Sequence, residues 1–179
     1  MDTRAKLKNY IAEHCVSHAD DVLLTSGKTS QIYFDLRGLA LDAQSAPWVS
    51  DLLLEKIKDA GVTCVGGMEA GAIPFTAALC TRAKEHGQPL HGFFVRKQAR
   101  EHGKGRTIEG HFDPNAPVAV VDDVATTGGS ILKTIAHIRA DGGKVTQAFV
   151  VVDRDEGAAE KLAKEGVELV ALFSKADFC

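Results

Sequence analysis

The sequence predicts an α/β protein with a central parallel sheet, flanked by helices, and a small N-terminal hood. Apolar runs rich in β-branched residues, such as residues 118–121, are typical of strands buried on both faces of a parallel sheet. These runs alternate with segments of helical period, which is the pattern of a sheet covered by helices. The chain has 179 residues, a length that suits one domain. We therefore expect a single domain over residues 1–179, in which residues 1–40 and the C-terminal end form the hood.

The N-terminal segment precedes the regular alternation. Residues 5–14 carry Leu7, Tyr10 and Ile11 on one face and predict a first helix. An apolar run at residues 22–24, a Ser-Gly-Lys turn and a second run at residues 32–36 predict a hairpin. This helix and hairpin are the expected hood.

The remaining elements follow in order from Pro47. Pro47 predicts the start of a helix that continues through residues 57–58 and ends at Gly61. Strands are then predicted at residues 62–67, 90–95, 118–121, 145–152 and 167–173, and helices at residues 73–86, 131–140 and 156–164. A polar, glycine-bearing stretch at residues 96–110 interrupts this rhythm.

Composition and charge exclude several classes of function. The net charge is −3, so the chain has no overall basic field for nucleic acid. No apolar stretch approaches the roughly 18 residues that a membrane span needs, and the N-terminus lacks the apolar core of a signal peptide. The cysteines form no CxxC pair, which gives no metal template and is typical of reduced thiols: Cys15, Cys64, Cys80 and Cys179. We therefore expect a cytoplasmic protein that binds neither nucleic acid nor membrane.

The most informative stretch is residues 116–130, APVAVVDDVATTGGS. Asp122 and Asp123 follow a buried strand at its carboxyl end, where ligands of open α/β sheets bind. A loop of hydroxyl-bearing residues and glycines then enters a helix, whose N-terminus offers N–H donors and positive dipole to phosphate. Two carboxylates would repel phosphate, but they suit a pair of hydroxyls or a hydrated divalent cation. The stretch therefore predicts a site for a sugar phosphate.

This stretch resembles the phosphoribosyl pyrophosphate (PRPP) binding motif of type I phosphoribosyltransferases. That motif consists of an apolar strand, two acidic residues, a small-residue turn with Thr, and a helix. The resemblance implies that PRPP contacts Asp122, Asp123, Val124, Ala125, Thr126, Thr127, Gly128, Gly129 and Ser130. It also implies Mg²⁺ as a cofactor that is held mainly by PRPP and water, with no direct protein ligand.

A second stretch, residues 93–110, resembles the catalytic loop of orotate phosphoribosyltransferases. In that loop an Arg-Lys pair is followed by a basic residue, a His or Tyr, glycines and a Glu-Gly. Cationic loops of this kind are common where pyrophosphate is held and released. The resemblance implies that pyrophosphate is neutralised by Arg96, Lys97, Arg100 and His102, and that Arg100, His102 and Asp123 are catalytic. It further implies a homodimer in which the loop of residues 96–110 reaches the neighbouring subunit's site.

The hood segment and a late arginine concern the acceptor base. Residues 25–38 resemble the segment that helps cover the base in the same family, where Tyr33 or Phe34 would lie against a planar pyrimidine. The alternative places one aromatic ring in the core and the other on the surface. Arg154 leaves the penultimate strand on the ligand side and can grip a carboxylate, unless it is a surface residue paired with a neighbouring acid. With Thr126, these residues form the implied orotate site.

A glycine-rich stretch, residues 66–74, corresponds to a loop that contacts pyrophosphate in the family, partly through a strained or cis peptide. The chain also departs from the family pattern at four positions. Thr25 and Arg100 stand where Lys is usual, and Gln31 stands where Pro is usual. Gly71 stands where several bacterial members carry Lys. These departures concern the base and the pyrophosphate rather than the ribose phosphate.

The resemblance as a whole implies transfer of the 5-phosphoribosyl group from PRPP to orotate, which gives orotidine 5′-monophosphate and pyrophosphate for pyrimidine biosynthesis. Two alternatives stay open. One is a phosphoribosyltransferase for another base, such as a purine or uracil, against which the hood segment argues. The other is a non-enzymatic PRPP-binding regulator. The basic loop argues against a regulator, whereas Thr25 and Gly71 argue weakly for it.

Overall fold

The computed structural model describes residues 2–23, 29–98 and 107–179. In chain order its elements are α1 (Thr3–His14), β1 (Val16–Leu23), β2 (Thr29–Phe34), α2 (Ser45–Asp59), β3 (Cys64–Met68), α3 (Ala72–Glu85), β4 (His91–Val95), β5 (Ile108–Gly110), β6 (Val118–Ala125), α4 (Gly129–Ala140), β7 (Val145–Asp153), α5 (Ala158–Lys164) and β8 (Glu168–Ser174). Short 3-10 helices lie at Arg37–Ala40 and Lys175–Phe178.

The main sheet is six-stranded within the described ranges, in the order β5-β4-β3-β6-β7-β8. Strands β4, β3, β6, β7 and β8 pair in parallel, and β5 lies antiparallel to β4 at one edge. The predicted α/β fold with a parallel sheet flanked by helices is confirmed. Strand β5 was not predicted, because a strand of three residues is too short to show an alternating pattern.

The predicted hairpin is present as a separate two-stranded antiparallel sheet of β1 and β2. Strand β1 begins at Val16, well before the apolar run at residues 22–24 that predicted it. The prediction missed the first part of the strand because the residues in its middle are polar. The hairpin packs on the main sheet through Ile32 and Phe34, which belong to the same buried cluster as Phe173. The ring of Phe34 also lies edge-on to Phe178 in the C-terminal 3-10 helix, at 5.6 Å between centroids.

Strand β6 is buried on both faces. Val118 and Val120 belong to the apolar cluster beneath α4 and α5, whereas Ala119 and Val121 belong to the cluster beneath α1, α2 and α3. Each of these four side chains is at most 2% exposed. This two-sided burial explains why the strand is a continuous apolar run rather than an alternating one.

The helices lie close to their predicted bounds. Pro47 stands in the first turn of α2, where its missing N–H leaves no helical bond unmade. Helix α5 starts at Ala158 because the preceding Gly157 has a φ of 91°, which a helix cannot contain. No helix in the described part of the chain combines the length and the apolar character required to cross a bilayer.

Candidate active site

The residues predicted for the site gather at the carboxyl edge of the main sheet. Strand β6 continues through Asp122 and Asp123 to Ala125, so the acidic pair lies within the end of the strand rather than after it. The N–H of Arg154 donates to the carbonyl of Ala125 at 2.9 Å. The pairing of β6 with β7 therefore brings the predicted PRPP loop and the predicted base-binding arginine to the same edge.

The acidic pair is held by a set of short hydrogen bonds. The Ser130 hydroxyl donates to Oδ2 of Asp122 at 2.7 Å. Oδ1 of Asp122 accepts the Asp123 N–H at 3.1 Å, and Oδ1 of Asp123 accepts the Val124 N–H at 2.8 Å. Asp122 is only 7% exposed, so the orientation of its carboxylate is fixed by these bonds and by packing.

Burial also controls the charge of the acidic pair. Burial, reinforced by the neighbouring Asp123 carboxylate, raises the pKa of Asp122 to about 7. Burial likewise raises the pKa of Asp123, against the lowering effect of the Val124 N–H and of the Arg37 charge. The pair therefore holds a proton to higher pH than exposed carboxylates do, and a ligand that donates hydrogen bonds or positive charge favours release of that proton.

The loop between β6 and α4 has the geometry of an anion site. Gly128 has a φ of 76°, and a Cβ there would lie 3.4 Å from the Cα of Ala158. The first hydrogen bond of helix α4 runs from the Leu132 N–H to the Gly128 carbonyl. The N–H groups that precede Leu132 therefore have no acceptor within the helix and can bind an anion. The carbonyl of Thr127 is turned away to the Lys161 ammonium at 3.1 Å. The loop therefore presents backbone N–H donors at this edge, as an anion site requires.

The turn after β3 contacts the acidic pair from the other side. The peptide bond between Glu69 and Ala70 is cis, which agrees with the feature that the family resemblance implies here. A Cβ at Gly71 would lie 3.1 Å from Oδ1 of Asp122 and 3.5 Å from Oδ1 of Asp123. A larger side chain at position 71 would therefore meet the acidic pair directly.

Two adjacent glycines are typical of a tight turn, but the turn of this stretch lies after positions 66 and 67. Both glycines lie inside β3, and the turn follows Met68. A Cβ at Gly66 would overlap the carbonyl oxygen of Phe93, and one at Gly67 would overlap that of Val121. These two glycines are therefore required by the close approach of neighbouring backbone within the sheet.

Only the two ends of the predicted catalytic loop, residues 96–98 and 107–110, are described. The Arg96 N–H donates to the Thr107 carbonyl at 2.9 Å, and the Arg96 guanidinium lies 3.3 Å from Oε1 of Glu109. The Lys97 N–H donates to Oε1 of Glu69 at 2.8 Å. The predicted Arg100 and His102, together with Thr25 and the side chain of Gln31, lie outside the described residues.

The residues predicted for the base divide between core and surface. Tyr33 is 36% exposed, whereas Phe34 is 4% exposed in the core. Arg154 is also 4% exposed, with Nη2 3.0 Å from Oε1 of Glu156 and 3.2 Å from the Ile32 carbonyl, to which it donates. Arg154 is therefore a buried residue that joins β7 to the hairpin. Its pairing with the adjacent acid, which the surface alternative anticipated, is nevertheless present.

Comparisons with known proteins identify the family. No protein-family model matches the chain. An orotate phosphoribosyltransferase of Methanocaldococcus jannaschii is 40% identical over 172 residues, which is 96% of this chain and 94% of the relative. One from Bradyrhizobium sp. (strain ORS 278) is 37% identical over 180 residues, covering 98% and 97% of the two chains. The chain belongs to the orotate phosphoribosyltransferase family.

A solved member of the orotate phosphoribosyltransferase family has the same fold. The crystal structure of Mycobacterium tuberculosis H37Rv orotate phosphoribosyltransferase, in complex with PRPP, superimposes with a TM-score of 0.83. It is 32% identical in sequence, and the match covers 99% of both chains. The predicted membership of the orotate phosphoribosyltransferase family and the type I phosphoribosyltransferase fold are therefore confirmed.

Three residues of this family member's site were not given a role from its sequence. Arg37 forms two hydrogen bonds with the Asp35 carboxylate, at 3.0 and 3.1 Å, and its charge acts on Asp123. Glu69 accepts a backbone bond from the catalytic loop, and Glu156 pairs with Arg154. Arg37 and Glu69 are charged residues inside stretches already singled out, and Glu156 lies two positions after Arg154, which is the signal that could have drawn attention to them.

The acidic pair offers oxygen donors that fit a hydrated magnesium ion. Among the described residues, no three His, Cys, Asp or Glu side chains are grouped so that they could hold a metal ion. Asp122 and Asp123 provide carboxylate oxygens next to an anion-binding loop, and Mg²⁺ commonly keeps its waters while bridging such groups to phosphates. The donor set is thus compatible with a cation held chiefly by ligand oxygens.

Proposed function

We propose that this chain transfers the 5-phosphoribosyl group of PRPP to orotate and releases orotidine 5′-monophosphate and pyrophosphate, as a step of pyrimidine biosynthesis. The observation that carries the proposal is its near full-length similarity to orotate phosphoribosyltransferases from two distant organisms. The acidic pair, the anion-binding loop and the buried arginine at one sheet edge support it. A phosphate, a ribose and an acidic base can occupy these three features together.

The PRPP motif holds the ribose 5-phosphate. Residues 126–130 give backbone N–H groups and hydroxyls to the 5′-phosphate at the start of α4. Asp122 and Asp123 accept hydrogen bonds from the ribose hydroxyls, while Val124 and Ala125 place the backbone that joins the two features. In this arrangement the Ser130 hydroxyl stays on Asp122, and its N–H faces the phosphate.

The chemistry consists of positioning and charge stabilisation. Departure of pyrophosphate leads bond formation at the anomeric carbon, so positive charge develops on the ribose ring beside Asp123. Negative charge develops on the leaving group, where Arg96, Lys97, Arg100 and His102 neutralise it. Because histidine titrates near neutral pH, His102 also passes a proton to the leaving group.

The cofactor is Mg²⁺. Asp122 and Asp123 would hold its hydrated form, and the ion would supply positive charge that offsets the charge of pyrophosphate. The contribution of Asp122 and Asp123 is to orient its water shell and the ribose hydroxyls through their fixed carboxylates.

The orotate seat combines the hood with the end of β7. Tyr33 offers an exposed ring face to the base, whereas Phe34 supports the seat from the core, with its centroid 6.0 Å from the Arg154 guanidinium. Arg154 pairs with the carboxylate or a carbonyl of orotate, and Thr126 closes the seat on the ribose side. Glu156 fixes the direction of the guanidinium through its 3.0 Å contact.

The assembly and setting follow from the same proposal. The chain acts as a homodimer in which residues 96–110 enter the neighbouring subunit's site. Residues 1–179 form one domain, with residues 1–40 and the C-terminal end as the hood; contacts of Phe34 with Phe178 support this grouping. The four cysteines, all within the described ranges, are free thiols, which fits a reducing cytoplasm.

The decisive experiment is a base panel with PRPP and Mg²⁺ in which pyrophosphate release is followed. Orotate is expected to support turnover, whereas uracil, adenine and hypoxanthine are not. An Asp123→Asn variant serves as the inactive control. Turnover with another base alone would assign a different phosphoribosyltransferase, and PRPP binding without turnover on any base would assign a regulator.

A further inference from the structure

We propose that Glu69 is a positioning residue for this reaction: its carboxylate holds the start of the catalytic loop in the orientation from which the loop grips pyrophosphate. The inference rests on the proposed function. It concerns a side chain that contacts the start of the basic loop and stands two positions before Gly71, which lies next to the acidic pair.

Glu69 is attached to the end of β4 by two bonds. Its backbone N–H donates to the Val95 carbonyl at 2.8 Å, and its Oε1 accepts the Lys97 N–H at 2.8 Å. The two bonds bracket Arg96, the first of the predicted pyrophosphate-binding residues. Backbone and side chain of one residue therefore fix the exit of the chain from the sheet.

The bond to Lys97 begins where the strand ladder ends. The Arg96 N–H still pairs with the Thr107 carbonyl across the β4–β5 edge at 2.9 Å. The N–H of the next residue, Lys97, turns instead to Glu69. The Arg96 side chain is held separately by Glu109, 3.3 Å away. The carboxylate of Glu69 thus provides a hydrogen-bond acceptor at the first residue past the strand ladder.

The location of Glu69 couples this exit to the rest of the site. It precedes Ala70 and Gly71, and position 71 lies against Asp122 and Asp123. One short turn therefore contacts the acidic pair at one end and the basic loop at the other. A shift of the turn changes the distance between the ribose side and the pyrophosphate side.

The negative charge of Glu69 argues against a space-filling role. A carboxylate beside a pyrophosphate site repels the ligand, so a neutral residue would bind pyrophosphate better if the side chain only filled space. The Lys97 N–H engages this charge at 2.8 Å, and hydrogen bonds to a charged acceptor are stronger than neutral ones. This bond offsets the repulsion by fixing the backbone at Lys97.

Three variants separate the effect of the Glu69 side-chain length from the effect of its charge. Glu69→Ala removes the acceptor, Glu69→Asp keeps the charge on a shorter side chain, and Glu69→Gln keeps Oε1 without the charge. Glu55→Gln, on the exposed face of α2, is the matched control. For Glu69→Ala and Glu69→Asp we expect kcat to fall about tenfold and the KM for pyrophosphate in the reverse reaction to rise about tenfold. The KM for orotate stays within about twofold, and Glu69→Gln, which keeps an acceptor oxygen but loses the charge, recovers part of the loss.

A spectroscopic measurement reads the bond without reference to activity. In the full-length protein, the ¹H–¹⁵N signal of the Lys97 amide is expected downfield in the wild type and in Glu69→Gln, and shifted upfield in Glu69→Ala and Glu69→Asp. An unchanged Lys97 signal in both latter variants would overturn the proposal. So would an active wild type whose Glu69→Asp variant has unchanged kcat and pyrophosphate KM.

The two proposals fail differently. If the wild type turns over no base while the Lys97 signal responds as expected, the proposed function fails and the Glu69–Lys97 contact stands. If orotate turnover is normal but KM for orotate rises as much as KM for pyrophosphate, Glu69 acts on the fold as a whole, and the positioning role is overturned.

Discussion

The hydroxyl of Ser130 donates to Oδ2 of Asp122 at 2.7 Å. The bond joins the first turn of α4 to the end of β6 and lowers the pKa of Asp122 against the larger, opposing effect of burial. Ser130 therefore acts on the acidic pair as well as on the loop that faces the phosphate. The consequences of this contact can be measured.

Replacing Ser130 by Ala removes the strongest side-chain bond to Asp122. We expect kcat/KM for PRPP to fall by about tenfold, since a hydrogen bond to a charged group contributes roughly 1.5–3 kcal/mol. The pKa of Asp122 then rises further, so the acidic limb of the pH–rate profile moves to higher pH. Steady-state kinetics between pH 5 and 9 measure both effects. Ser130→Thr keeps the hydroxyl and is the control; an acidic limb that stays in place in Ser130→Ala would contradict the assignment.

The buried Asp122 carboxyl predicts a pH dependence of stability. Its pKa is raised from an ordinary 3.8 to about 7, so between these values the folded chain holds a proton that the unfolded chain has lost. The free energy of unfolding therefore falls as pH rises through this window and stays low above it. Asp122→Asn removes the effect and is expected to be more stable than the wild type by ~1–3 kcal/mol at pH 8, with no gain at pH 4.

Urea unfolding in EDTA, without PRPP, tests this expectation for Asp122→Asn. Asp141→Asn, at the exposed end of α4, is a control that should leave the pH dependence unchanged. A wild-type stability that is flat from pH 4 to pH 8 would show that Asp122 is ionised throughout.

The ion pair between the buried Arg154 and the partly buried Glu156 predicts a coupled loss of stability and base binding. Arg154→Met leaves the Glu156 carboxylate without its counter-charge and is expected to cost about 3 kcal/mol of stability. It also raises the KM for orotate. Adding Glu156→Gln restores part of the stability but not the orotate KM, as denaturant curves and kinetics on the same samples would show. Full recovery of orotate binding in the double variant would mean that Arg154 does not touch the base.

The close backbone contact at Gly67 predicts a strong and local packing effect. In Gly67→Ala the new methyl group overlaps the Val121 carbonyl, so we expect a loss of at least about 3 kcal/mol or no folded protein. Gly38→Ala is the matched control, because a Cβ there meets nothing within 4 Å. Thermal unfolding compares the two. Equal midpoints would contradict the register of β3 against β6.

The proposed sharing of the catalytic loop between two subunits predicts complementation between inactive chains. Asp123→Ala and Arg100→Ala homodimers are each expected to lose most orotate turnover. Mixed and refolded together, they form hybrids in which one site has both an intact acidic pair and an intact loop. Activity should then return to roughly a quarter of the wild-type level. If hybrids form but stay inactive, the loop does not cross between subunits.

The predictable part of this molecule is local in sequence. The strand, acidic pair and loop of residues 116–130 are contiguous, so their order alone indicates both the fold edge and a phosphate site. The contacts that complete the site are not contiguous. The Ile32 carbonyl that holds Arg154 lies 122 positions away, and Glu69 is 28 positions from Lys97. No periodicity reports such pairs, because they depend on which strands lie side by side.

Tyr33 is exposed and Phe34 is buried, an assignment that the sequence alone did not predict. Alternation along a strand predicts that two successive rings point to opposite faces, but it does not say which face is covered. Packing of β2 on the main sheet decides this and buries Phe34 beside Arg154. The sequence could therefore identify both aromatic residues, but it could not say which of the two rings is buried.

Burial, which raises the pKa of Asp122 and of Asp123, also couples ligand binding to the release of a proton into the solvent. A ribose that donates its hydroxyls to the pair drives that proton into the buffer. The heat of binding measured by calorimetry then contains the ionisation enthalpy of the buffer, and apparent affinity increases with pH up to about 7, the pKa of Asp122. Occupancy of the site at the end of β6 therefore depends on both the ligand concentration and the pH.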